Sequence, residues 1–145
     1  MDPLAATRVA DLVSAVEQGD AEYIDRMLAL QVQVDEPDVL TGNSALHAAV
    51  LYHLELLPAL LKHAANPDAL DVGGATPLSC VLHELGEGPV GARRQQLVEA
   101  AAHLLHAGAD PRAGASDQSA LELARLYELP DVEALLVNAG AAVTQ

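Results

Sequence analysis

The chain has 145 residues, 51% of them hydrophobic but only 2% aromatic, with no Phe and no Trp. Its core must be assembled from Leu, Val and abundant Ala, which favours helices over sheets and sets the fold class as all-α. The net charge of −14, from 21 acidic against 7 basic residues, argues against nucleic acid, whose phosphates need clustered Lys and Arg, and against an anionic membrane surface.

Taken in chain order, the stretch "DLVSAVEQGDAEYIDRMLALQVQVD" predicts a helix over 10–18 and a second over 21–30, with Tyr23 in the core. "NSALHAAV" (Asn43 to Val50) opens a second pair over 44–52 and 55–63, and Pro58 lies where it shortens or kinks the start of the latter helix. "ATPLSCVL" (Ala75 to Leu82) opens a third pair over 76–84 and 93–107, and "QSALELAR" (Gln118 to Arg125) a fourth over 119–127 and 131–139. The last three openings share a hydroxyl residue, then Ala or Pro, then Leu. Their second helices end alike, in "LLKHAANPD", "LLHAGADPR" and "LLVNAGAAV". Gly42, Gly74, Gly108 and Gly140 mark turns, where positive φ comes easiest to glycine.

The leucine anchors Leu12, Leu46, Leu78 and Leu121 stand 34, 32 and 43 residues apart. Helices this short are marginal alone, so successive pairs must bury their apolar faces on one another. A period near 33 belongs to helix–turn–helix repeats. "ALH" at Ala45 to His47, "TPL" at Thr76 to Leu78 and "GAD" at Gly108 to Asp110 resemble the ankyrin repeat, over roughly Ala6 to Val143. The resemblance implies one domain, 1–145, an ankyrin-repeat solenoid of four units (approximately 6–37, 38–69, 70–113 and 114–143). Short β-hairpin fingers are then expected near 34–43, 66–75 and 110–118. His47 takes the place of the family's histidine, implying a capping residue bonded to backbone near a hairpin; Ser79 and Glu122 replace it later. The third unit is enlarged by about 11 residues in "HELGEGPVGARRQQ" (His83 to Gln96), which predicts an extended inter-helix loop running into a lengthened outer helix.

Chemistry is sparse. One cysteine, Cys80, permits no disulfide within the chain and no thiolate metal cluster. His103 and His106 share a helix face without an evident third ligand, and Cys80 near His83 reads as a small buried hydrophobe before it reads as a nucleophile. No phosphate-binding loop or nucleophile elbow occurs. No enzyme activity, cofactor or metal is expected. The N-terminus lacks the basic start and apolar run of a secretory leader, and no segment approaches the ~18 apolar residues of a membrane span, so a cytoplasmic setting is expected.

The resemblance implies recognition of a protein partner along the concave side. Finger residues assigned to that surface are Glu36, Asp38, Leu40, Thr41, Asn43, Val72, Ala75, Ser116 and Gln118. Inner-helix ends contribute Leu51, Tyr52, His83, Glu84, Leu126 and Tyr127. Tyr52 and Tyr127 fall at equivalent places, each preceded by leucine, and tyrosine is favoured at interface hot spots. The acid surplus suits a basic partner, and equally serves solubility. The expected protein is a small acidic adaptor, inhibitor or chaperone, monomeric when free. Alternatives are an immunity or antitoxin-like protein blocking a toxin, a scaffold whose contact surface is the inserted segment, and a metal- or thiol-responsive protein using His103, His106 and Cys80.

Overall fold

The structure, a computed structural model, describes residues 12–13, 15–30, 42–63, 65–71, 73–113 and 119–144, the last five by their backbone alone. Residues 12–13 and 15–18 are helical and form α1. Then come α2 (Ala21–Ala29), α3 (Ala45–Tyr52), a 3-10 turn (Leu54–Leu56) leading into α4 (Leu57–Lys62), α5 (Pro77–Gly86), α6 (Gly91–His106), α7 (Ala120–Leu126) and α8 (Pro130–Thr144). The expected helices are thus present as four consecutive pairs.

Local chemistry explains where the inner helices begin. Ser44, Thr76 and Ser119 are extended N-cap residues whose hydroxyls accept from the backbone N–H of His47, Ser79 and Glu122. Each satisfies an orphan donor of the first turn, a contribution of about 1 kcal/mol. The cap also aims the leucine two residues later inward: Leu46, Leu78 and Leu121 are buried, as is Leu12 in α1. Helices α3, α5 and α7 pack side by side as one layer; α4, α6 and α8 form a second, each lying on its own inner partner. Alanines at the seams (Ala45, Ala48, Ala49, Ala100, Ala101, Ala120, Ala124) are buried and let the helices approach closely. One continuous apolar core runs from Leu12 to Leu136.

Several expectations need correction. No strand occurs among the described residues. The 66–75 segment instead closes as a tight turn, in which Asp71 N–H donates to the Ala75 carbonyl and Gly74 N–H to that of Asp71, both at 3.0 Å. The Asp71 carboxylate accepts from the Gly73 and Ala75 amides at 2.9 Å, so the side chain takes bonds a ladder partner would have made. Residues 34–41 and 114–118, expected in the other two fingers, lie outside the described residues.

The extended loop of the enlarged third unit is not there either. Only residues 87–90 are non-helical, around Gly88 at φ +84° and Pro89. The surplus residues are good helix formers and lengthen both flanking helices, α6 reaching 16 residues. Tyr23 is exposed, because Ile24, Met27 and Leu28 fill the core stripe of α2. Gly42, Gly74 and Gly108 do take positive φ, but Gly140 does not end its helix: α8 continues to Thr144 through alanines that favour it.

The last pair has its own register. Leu60 and Leu104 are the fully buried members of their leucine pairs, whereas in Leu135-Leu136 it is the second that is buried. The position four residues after each anchor is Val16, Val50 and Leu82 in the first three pairs, all wholly buried, and Arg125 in the last.

Candidate functional site

The start of α3 and the turn after α4 are wired together by His47. Its Nδ1 accepts from the Ser44 amide at 3.1 Å, which places the ring proton on Nε2, and Nε2 donates to the Ala75 carbonyl at 2.8 Å. The ring is fully buried, and burial lowers its pKa below the ordinary 6.5 against the opposing pull of the Ala75 carbonyl and Asp71. The expected backbone-capping role is realised across 28 residues of chain. A second cross-link joins successive turns: Asp110 N–H donates to Asp68 Oδ1 at 2.9 Å. Burial raises the Asp68 pKa above its ordinary value, with the Asp110 amide working the other way.

The inner-helix ends assigned to partner contact lie towards the opposite, C-terminal ends of α3, α5 and α7. Leu51, Tyr52 and Leu126 are exposed, at 38%, 57% and 69%. His83 is exposed and Glu84 half-buried, with Glu84 Oε2 3.6 Å from Arg93. Tyr127 differs from its equivalent Tyr52. It is half-buried against the core, its hydroxyl lies 3.1 Å from His83 Nδ1, and its ring sits where Gly86 has no side chain. A Cβ at Gly86 would fall 2.7 Å from that ring. Tyr127 therefore packs on the neighbouring inner helix while Tyr52 stays free to meet a partner.

Asn43 is half-buried at the start of α3. Ala75 has a buried side chain, and its carbonyl receives His47. Glu36, Asp38, Leu40, Thr41, Val72, Ser116 and Gln118 lie outside the described residues. The structure thus brings Leu51, Tyr52, His83 and Leu126 to the exposed ends of successive inner helices.

Sequence reasoning missed the seams between pairs. The His53 ring occupies the space a Cβ on Gly19 would need, as Tyr127 does at Gly86. Arg94 Nη2 grips both carboxylate oxygens of Asp131, at 2.9 and 3.0 Å, and holds that carboxyl below its usual range. Arg94–Asp131 thus staples α6 of the enlarged third pair to α8 of the fourth, while Arg93–Glu84 ties α6 to α5 within the third.

Among the described residues, one grouping of metal-type donors occurs: His47, Asp71 and Cys80 have ligand atoms within 4.8 Å of one another. The donors are already committed. Both imidazole nitrogens are hydrogen-bonded, Asp71 holds the turn, and burial pushes the Cys80 thiol up to about 12, keeping it protonated. A metal ligand must offer a free lone pair, as thiolate or unbonded imidazole nitrogen. His47 and Asp71 serve to lock the turn. His103 and His106 lie exposed on α6.

The ankyrin-repeat family model matches residues 41–72, the stretch running from the approach to the Ser44 cap through α3 and α4 to the Asp71 turn. The protein therefore carries an ankyrin repeat, a module that generally mediates protein–protein interaction. Comparison with curated proteins gives no match. Among the described residues, no helix is long and apolar enough to cross a membrane.

Proposed function

We propose that this chain is a non-enzymatic, cytoplasmic protein-binding module that captures a basic protein on the concave face formed by its inner-helix ends. The supporting observation is the exposed row of Leu51, Tyr52 and Leu126 on inner helices whose other faces are buried in the core. Large apolar side chains on rigid supports make interface anchors. The surplus of 21 acidic over 7 basic residues supplies the field that steers a cationic partner in. Whether the bound protein is sequestered, inhibited or chaperoned follows from its identity; a toxin held by its immunity protein is one such case.

The test is affinity capture from the source lysate at low and moderate salt, with wild type, Tyr52→Ala and Leu126→Ala, followed by titration with the purified partner. A basic protein should be retained by wild type, and Tyr52→Ala should weaken it by about 1–4 kcal/mol. Undiminished affinity in both folded variants would remove the inner-helix ends as the site.

A further inference from the structure

The two departures from repeat regularity noted in the sequence meet on the outer-helix side. Pro58 stands in the first turn of α4, and the chain before it winds as a 3-10 turn, so this outer helix is only 6 residues long. Its neighbour α6, lengthened by the enlarged third pair, has 16. Mismatch between them leaves a groove of about 260 Å³. Leu54, Pro58 and Ala100 form its apolar part; Glu55 flanks it from one helix, and Gln96, Glu99 and His103 from one face of the other.

Charge is unevenly settled here. Arg26, Arg93, Arg94 and Arg125 each meet carboxylates elsewhere. Among the described residues, Glu55 meets the His53 imidazole, at 3.0 Å, and Glu99 the neutral amide of Gln95, at 3.2 Å. Neither contact supplies a permanent positive charge. The groove thus sets an apolar floor between two carboxylates whose charge is not neutralised.

We propose that this groove seats an arginine side chain of the basic protein partner. The methylene stem lies on Leu54, Pro58 and Ala100, and the guanidinium reaches Glu55 and Glu99 on the two flanks. Arginine fits because it carries an apolar stem and a planar fork of several donors, able to serve two carboxylates at once; a lysine ammonium is a single, strongly hydrated point. The inference rests on the partner being basic, and is independent of the inner-helix ends.

The probe is the acetylated, amidated tripeptide Gly-Arg-Gly, beside its lysine and citrulline counterparts, titrated into ¹⁵N-labelled protein. The arginine peptide should shift the Ala100 and His103 amides saturably, with lysine roughly tenfold weaker and citrulline without effect. The shifts should vanish in Glu55→Gln/Glu99→Gln, whose surface substitutions leave the fold intact by circular dichroism, and persist in Tyr52→Ala. The proposal is overturned by equal response to citrulline, by shifts surviving in the double variant, or by shifts spread over the acidic surface without saturation. Loss of partner capture in Tyr52→Ala with an unchanged peptide titration separates this seat from the inner-helix face.

Discussion

Arg125 Nε lies 3.0 Å from Glu133 Oε1, with Glu122 a further 3.7 Å contact, at the place where earlier pairs bury Val16, Val50 and Leu82 in the core. A half-exposed ion pair contributes little to stability. What it changes is the surface: an aliphatic patch suited to another inner helix becomes charged. The variant Arg125→Leu/Glu133→Leu is therefore expected to self-associate with rising concentration in sedimentation velocity while wild type stays monomeric. A double variant that remains monomeric at every concentration would remove this role.

His47 should matter more to stability than any surface charge. His47→Ala deletes two hydrogen bonds, taking the acceptor from the buried Ser44 amide and leaving the Ala75 carbonyl with the Asp71 N–H alone, an expected loss of about 2–4 kcal/mol in urea denaturation. The folded pKa lies below 6.5, so below that pH the unfolded chain binds the proton first. The stabilising contribution is complete above pH 6.5 and is lost as pH falls towards the folded value. The difference in stability between wild type and His47→Gln should shrink over that descent; a constant difference would mean the ring titrates alike in both states.

Gly86 offers a test of the seam with Tyr127. On helix propensity alone, Ala at a helical position is better than Gly by about 1 kcal/mol. Here the added Cβ would fall 2.7 Å from the ring, so Gly86→Ala should push Tyr127 outward, break its bond to His83 and destabilise the protein. In a Tyr127→Ala background the same substitution should become neutral or stabilising. A double-mutant cycle by urea denaturation reads the coupling directly, and additive effects would mean the ring does not depend on the glycine.

Cys80 should be inert while the chain is folded. Burial holds its thiol near 12, far from the thiolate that alkylating reagents need. At pH 8, iodoacetamide labelling should follow global unfolding, accelerating in urea in step with loss of helix by circular dichroism. Rapid labelling of native protein would show an open path to the sulfur.

Much of this architecture is local and so was legible beforehand. Ser44, Thr76 and Ser119 start helices through contacts three residues away, and the leucine following each points inward as a direct result. What escaped depends on neighbours. In "LLV" the apolar run does not say which leucine faces the core, and Leu136 is settled only by packing. Glycines and a proline between 83 and 96 read as a loop, although only residues 87–90 stay out of helix. Tyr52 closes α3 and Tyr127 follows α7, yet nothing local distinguishes the exposed ring from the one lodged on Gly86. Pro58 and the enlarged third pair were both visible as irregularities; that they border one groove is a fact of stacking.

The glycines at the seams give the helix pairs an order. Gly19 makes room for the His53 ring and Gly86 for that of Tyr127, so the first and last junctions are each cut to one particular successor. Pairs that share a leucine anchor and a helix–turn–helix outline are not interchangeable parts. Duplicating, deleting or transposing one would bring a ring against a side chain that occupies its seat. Such a chain can lengthen within a pair, as the third has done, far more readily than it can be reshuffled between pairs.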